Sequence, residues 1–366
     1  LSAYLAAGIS TDHECSAPAE ALEKLEKGVF ILIREGSAAK NLEALVPVVN
    51  QYNSRFFGFC TDDRHPDFLV EHGHINQMVK KAITLGVDPV IALQMASVNT
   101  ARYYGLKNTG TLSIGSQADL VVFDSFERFN ITKVFKAGEL VVKDGELLRE
   151  PKIMKDSSEN SVNIPTLPVD FFTVKNQNSP VKVMELVPNQ IITRQLIHHF
   201  QTETKELKAQ PEQDILKVAV IERHRGCGNG MTGFVRGFGL KTGAIASTVA
   251  HDSHNLIILG TNDDDMLKAV DFIRRIKGGL VVVSDGKLVA SLPLPLAGIM
   301  SEQSLWEVKE QYDILLEETA KLGCKIADPF MMLSFLALPV IGDLKITDQG
   351  LVDVKKFDFV SLYGDD

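Results

Sequence analysis

The sequence predicts an α/β fold, with three βα units of a parallel sheet, then a small β module, then a separate α+β domain. Three observations predict it. From Ile9 to about Leu106, a short apolar run, a polar cluster and an amphipathic helical stretch recur in that order. Around Gly110 the texture changes to β segments punctuated by glycine, and beyond a polar stretch apolar strands and helices alternate to the end. A length of 366 residues with 45% hydrophobic side chains leaves room for two or three such cores.

The chain opens on Leu1 rather than Met, inside a helix-like stretch from Ser2 to Ala7 that Gly8 stops, which reads as a truncation. The first unit pairs a short strand, Ile9 to Thr11, with the cluster Asp12-His13-Glu14 and a helix opened by Ser16 and Pro18 and closed by Gly28. Leu22 and Leu25 supply its apolar stripe, and Glu20/Lys24 and Glu23/Lys27 are pairs four residues apart on its wet side. In the second unit the run Val29 to Ile33 is apolar on both faces, as a buried parallel strand requires, and breaks into Arg34-Glu35-Gly36-Ser37 before a helix carrying Leu42, Leu45, Val46 and Val49. The third strand, Phe56 to Cys60, runs into Thr61-Asp62-Asp63-Arg64, followed by a helix near Ile75 to Leu85. Further helices begin at Asp88-Pro89, a cap followed by a first-turn proline, and at Asn99.

The β module holds Ala118 to Phe123, Ile131 to Phe135 and Leu140 to Lys143, with Ala137-Gly138 as a hairpin turn. The expected boundaries are 1–108, 109–150, a polar linker 151–164, and 165–366. In the last part, strands are expected at Leu216 to Ile221, Ala244 to Ala250, Leu256 to Leu259 and Leu280 to Val283, and helices near Asp265 to Ile276 and Leu305 to Leu322.

A formal charge of -9 argues against a nucleic-acid partner and favours a small molecule. No stretch reaches the roughly eighteen uninterrupted apolar residues of a membrane span. The four scattered cysteines, Cys15, Cys60, Cys227 and Cys324, lack disulfide or zinc spacing and point to a reducing, cytoplasmic setting.

Polar residues follow each of the three strands directly, and in β/α barrels the active site lies at that end. His13, the Arg34-Glu35-Ser37 cluster and Asp62 are therefore candidates for one pocket. Imidazole nitrogen and carboxylate oxygen are suitable donors for a divalent metal, although two ligands do not make a site, and either residue alone can equally cap a helix or tie a loop. Asp12 and Glu14 can support His13 or cap the following helix, and capping is favoured because acids suit helix N-termini. Arg34, Glu35 and Ser37 can hold a substrate edge or form a buried ion pair with a neighbouring loop. The Gly-rich stretch Gly226 to Gly243 is not a phosphate loop, since Leu240 stands where that motif needs glycine. His251, Asp252 and His254 read as a local polar network or as groups facing the barrel mouth.

The strings Ser10-Thr11-Asp12-His13-Glu14, Ile33-Arg34-Glu35-Gly36-Ser37-Ala38-Ala39 and Phe59-Cys60-Thr61-Asp62-Asp63-Arg64-His65-Pro66 resemble strands six, seven and eight of the adenine deaminase family, within the amidohydrolase superfamily. Gly110-Thr111-Leu112-Ser113-Ile114-Gly115 and Ala118-Asp119-Leu120-Val121-Val122 resemble the superfamily's β module. Glu222-Arg223-His224 through Gly230, Gly237-Phe238-Gly239-Leu240 and His251-Asp252-Ser253-His254-Asn255 are similar to that family's extra C-terminal domain.

The resemblance implies the last three βα units of a partial TIM-like barrel, a small β-sandwich module, and hydrolytic deamination of adenine to hypoxanthine and ammonia by a metal-activated hydroxide. It further implies His13 as a metal ligand and Asp62 as ligand and proton shuttle, with Asp63 as the alternative. Manganese or iron is the implied metal, zinc being allowed. A homo-oligomer is left open. The family's earlier ligands, a His-x-His pair, a bridging carboxylate and a strand-five histidine, have no counterpart, and His72-Gly73-His74 matches the pair in spelling only, so this chain alone is expected to be incomplete. The competing expectations are another cyclic amidohydrolase acting on a ring amide or N-acyl group, and a non-catalytic truncated relative.

Overall fold

The computed structural model describes residues 1–37, 39–149, 161–187 and 190–364. The expected linker therefore lies mostly outside the described residues. The chain divides into two compact units, Leu1–Met154 and Lys155–Asp366.

In the first unit α1 (Ser2–Ala6) precedes β1 (Thr11–Asp12), α2 (Pro18–Glu26), β2 (Phe30–Arg34), α3 (Leu42–Leu45), β3 (Phe57–Cys60), α4 (Pro66–His72), α5 (Ile75–Thr84), α6 (Pro89–Met95) and α7 (Val98–Tyr103). Strands β1, β2 and β3 pair in parallel in that order, Asp12 beside Ile31 and Arg34 beside Cys60, so their C-terminal ends share one edge. Every residue of β2 is buried, as its continuous apolar run requires. Helices pack on Ile31, Ile33, Phe57 and Phe59 through Ala21, Leu42, Leu45, Met78, Val79 and Ala82.

Three expectations need correction here. Leu22 of α2 is largely exposed, and Ala21 is the helix's buried residue. The helix expected through Val49 is α3 followed by a 3₁₀ turn, Val46–Val48, because Pro47 removes a backbone donor. Helix α4 was not foreseen. Asp88 caps α6 through the Val90 and Ile91 amides.

The β module is a meander of β4 (Leu120–Phe123), β5 (Ile131–Lys136), β6 (Glu139–Lys143) and β7 (Glu146–Leu147). Ala137-Gly138 and Asp144-Gly145 both have positive φ at each position, the backbone of tight hairpin turns. Among the described residues these strands form one sheet, not the expected sandwich, and Val121 and Val122 remain exposed.

The second unit contains β8 (Val174–Lys175), β9 (Val181–Leu186), β10 (Thr193–His198), β11 (Glu206–Leu207), β12 (Ile215–Ile221), β13 (Gly230–Arg236), β14 (Ala244–Ser247), β15 (Leu256–Gly260), α8 (Asp263–Arg275), β16 (Gly279–Ser284), β17 (Lys287–Pro293), α9 (Leu305–Lys321), α10 (Pro329–Phe335) and β18 (Leu344–Ile346) to β20 (Asp358–Val360). Its main sheet runs β10-β9-β13-β12-β15-β14-β16-β17, antiparallel except between β13 and β9. Alternation along the central strands feeds two cores. Ala219, Ile221, Ala246, Ile258 and Val281 face α8, whereas Val218, Val220, Ile245, Ile257 and Val282 join Tyr312 and Leu315 of α9 and Phe330 and Leu333 of α10. Among the described residues no helix is long and apolar enough to cross a membrane.

Candidate metal centre

The shared strand edge gathers the first unit's polar residues. His13 and Glu14 follow β1, Arg34 ends β2, and Asp62 stands two residues beyond β3. His13 Nε2 lies 3.5 Å from Asp62 Oδ2 and 3.3 Å from Glu14 Oε1. Ligand atoms from these three residues all fall within 4.8 Å of one another, the one such group of His, Cys, Asp or Glu among the described residues. An imidazole nitrogen with two carboxylate oxygens fits a divalent transition metal.

Asp62 reaches this position through a left-handed backbone, φ 50°, which aspartate tolerates better than bulkier residues. Asp63 points elsewhere. Its carboxylate is buried and pairs with Arg34 Nη2 at 3.0 Å. Arg34 Nη1 meanwhile contacts Asp62 Oδ2 at 2.9 Å and Glu14 Oε1 at 2.8 Å. Burial pulls the guanidinium's pKa down, but Asp63, Asp62 and Glu14 together hold it above its ordinary value.

Asp12 anchors the loop from behind. Its Oδ1 accepts from the backbone amides of Glu14 and Cys15 and from the Cys15 thiol, and Lys24 of α2 pairs with Oδ2 at 2.8 Å. Burial raises the Asp12 pKa, yet the bonds from Lys24, Cys15 and the backbone outweigh it and leave the group below its ordinary value. Burial, reinforced by Asp12, lifts the Cys15 thiol to about 12; burial with Asp62 does the same for Cys60. Both sulfurs therefore stay protonated near neutrality in the metal-free chain, and neither belongs to the three-donor group.

Glu35 and Ser37 are not brought to His13. Strand alternation turns Glu35 toward the helices, where it pairs with Lys81 at 2.6 Å and accepts from the Leu42 amide. Lys81 lies on α5, whereas the buried ion pair with a neighbouring loop that sequence left open is Arg34–Asp63. Ser37 Oγ accepts from the His65 amide, and Arg64 donates to the carbonyls of Glu35, Gly73 and His74. His72 ends α4, Gly73 follows and His74 precedes α5; His74 Nε2 lies 3.1 Å from Thr61 Oγ1, outside the three-donor group.

Glu14 is the residue that sequence reasoning misplaced. It does not cap α2, whose cap position is Ala17 and whose first turn holds Pro18. Proline at the helix start, four residues beyond Glu14, was the available signal.

Gly36 is required for this packing. A Cβ there would lie 1.7 Å from Asp63 Oδ1 and 2.9 Å from the Thr61 carbonyl. Gly36→Ala is expected to cost about 2–4 kcal/mol, by analogy with breaking a buried charge pair, and to lower the thermal midpoint measurably. A midpoint within 1 °C of wild type would contradict this packing.

In the second unit, the Gly-rich stretch forms β13 and its flanking turns, not a phosphate loop. The His251-to-His254 segment sits in a local polar network. The Arg223 guanidinium donates to the His254 and Ala297 carbonyls, His224 Nε2 lies 2.8 Å from the Ser253 carbonyl, and His254 Nδ1 accepts from the Ala250 amide. Burial, followed by the His251 and Arg223 charges, lowers the His254 pKa.

Residues 3–141 match the amidohydrolase family model, and residues 190–358 match that of the adenine deaminase C-terminal domain. Its first part thus resembles an amidohydrolase-family region and its last part an adenine deaminase C-terminal domain. It is 49% identical over 99% of its length to an adenine deaminase of Desulfatibacillum aliphaticivorans, and 44% identical over 98% to adenine deaminase 2 of Carboxydothermus hydrogenoformans. An adenine deaminase of Brucella abortus is 44% identical over the same share. The chain spans 64% of the length of the first two relatives and 62% of the third. Among solved structures, a β-aspartyl dipeptidase of Fervidobacterium islandicum AW-1 is similar over 36% of each chain at 22% identity with a TM-score of 0.31, a level at which no function transfers.

Proposed function

We propose that this chain supplies part of the catalytic centre of an enzyme that hydrolyses adenine to hypoxanthine and ammonia, with its first 108 residues forming the closing βα units of a TIM-like barrel. The β module over 109–150 and the α+β domain over 165–366 complete the proposed organisation. The observation that carries the reading is the meeting of His13, Glu14 and Asp62 at the C-terminal edge of three parallel strands. The names of the matched relatives and the adenine deaminase C-terminal domain support adenine as the substrate.

His13 and Asp62 are the proposed metal ligands. A divalent cation held there, manganese or iron before zinc, would polarise a water molecule and lower its pKa. Asp62 accepts a proton from the attacking water as oxygen bonds to C6 of the purine. It returns a proton as the C6–N bond breaks and ammonia leaves, so the carboxylate ends as it began. Before metal binds, Arg34 Nη1, 2.9 Å from the Asp62 carboxylate, holds it beside His13. The buried partners of Glu35 and Ser37 favour a role in holding the strand edge.

The reading is tested by a version extended to the full length of the matched relatives, purified with manganese and assayed for ammonia against a purine panel. Adenine is the expected substrate. His13→Ala is expected to lower both bound metal and turnover by at least about tenfold, since one of few donors is lost. Full metal content and full activity in that variant would refute the assignment.

A further inference from the structure

Glu14 and Arg34 stand in an arrangement that a metal-ligand pair alone does not explain. Two oxygens, Glu14 Oε1 and Asp62 Oδ2, each face both His13 Nε2 and Arg34 Nη1. Nη1 thus lies against the same two oxygens that, with His13, make the three-donor group. A divalent ion among those donors, at bond lengths of about 2.0–2.2 Å, would place two like charges on one pair of oxygens. The guanidinium has a second berth. Its other nitrogen, Nη2, is held by the buried Asp63 carboxylate, and the fork geometry of arginine lets one arm stay paired while the other is released.

We infer that Arg34 is a positioning residue that stands in for the metal between Glu14 and Asp62, retreating onto Asp63 when the ion binds, and that Glu14 is then the third ligand. This rests on the proposed metal site and deepens it. Without either cation, two carboxylates would face each other across His13. Arg34 keeps them assembled, at the cost of competing with the ion.

A residue that merely props the fold would, on removal, weaken stability and metal binding together. An exchanging cation gives opposite signs. The test is manganese(II) titration, by calorimetry, of the version extended to the full length of the matched relatives, paired with thermal midpoints in chelator. Arg34→Met is expected to lower the metal-free midpoint yet bind manganese at least about tenfold more tightly, because a neighbouring positive charge is gone. Arg34→Lys, keeping charge without the fork, should fall between. If loss of the Arg34 charge beside Asp63 prevents folding, Arg34→Met with Asp63→Asn removes both charges and should show the same tightening.

Glu14 is mostly exposed, so Glu14→Gln should leave the midpoint near wild type while weakening manganese at least about tenfold. Equal or weaker binding by the folded Arg34 variants, or unchanged binding by Glu14→Gln, overturns the exchange while leaving the His13 and Asp62 reading standing. An extended wild-type protein that takes up no manganese overturns both.

Discussion

Asp62→Asn in the version extended to full length is expected to reduce ammonia release from adenine by at least about 10³-fold, measured as kcat in a coupled ammonia assay. The amide keeps the shape and the αL-tolerant backbone at φ 50° but can neither accept the proton of the attacking water nor bring a negative charge to a cation. Folding should barely change. Asp62 is half-exposed, and its contacts to His13 and Arg34 are partly solvated, so the variant's stability should lie within about 1 kcal/mol of wild type. Asp63→Asn is the control that separates the two neighbouring acids. It removes the buried partner of Arg34 and should reduce stability more than Asp62→Asn does, while retaining measurable turnover. The reverse ranking of the two variants in activity would transfer the catalytic role to Asp63.

The second large effect lies in the other unit. Lys345 of β18 is fully buried, its ammonium donates to the Phe335 and Ile191 carbonyls, and burial pushes its pKa down to about 7. Below pH 7 both folded and unfolded chains carry this proton, and the cost of burying the charge is felt in full. Between pH 7 and the ordinary lysine value only the unfolded chain binds it, so this residue's contribution makes stability rise with pH by about 1.4 kcal/mol per unit. Lys345→Met abolishes that contribution. The stability advantage of the variant over wild type should therefore be largest near pH 6.5 and shrink by about 2–3 kcal/mol by pH 9. Urea unfolding followed through Trp306, the sequence's single tryptophan, reports on this unit because Trp306 lies on α9. A difference between the two proteins that does not vary with pH would show that Lys345 is not held as described.

Much of the first unit was legible because β2 and most of β3 are buried on both faces, so their apolar runs stop abruptly where polar chemistry begins. Arg34 and Asp62 stand at or just beyond such stops, and His13 follows a two-residue strand. Glu14 was not legible. An acid ahead of a helix N-terminus suggested a cap, and only the three-dimensional approach of β2 places Arg34 against it. Glu35 and Ser37 mark a different limit. Residues one apart at a strand end diverge to opposite faces, so the string Arg34-Glu35-Gly36-Ser37 could not all serve one pocket.

In the second unit β12 and β15 were legible as apolar runs, whereas β9, β10, β13 and β17 were not. Lys182 is buried inside β9, and Arg194, Gln195 and His198 interrupt β10, so neither shows a clean period. Strand β13 contains Gly230 and Gly233 and therefore reads as a turn. A side chain at Gly230 would lie 2.7 Å from the Phe171 ring and 2.9 Å from the Val220 carbonyl, so glycine is there for close approach within the sheet.

The most direct measurement is an anomalous difference map at the manganese edge from crystals of the full-length protein grown with that ion. A peak bonded to His13 Nε2 and an Asp62 carboxylate oxygen, at about 2.0–2.2 Å from each, is the predicted result. An enzyme that deaminates adenine with manganese bound elsewhere and nothing between those two side chains would contradict it.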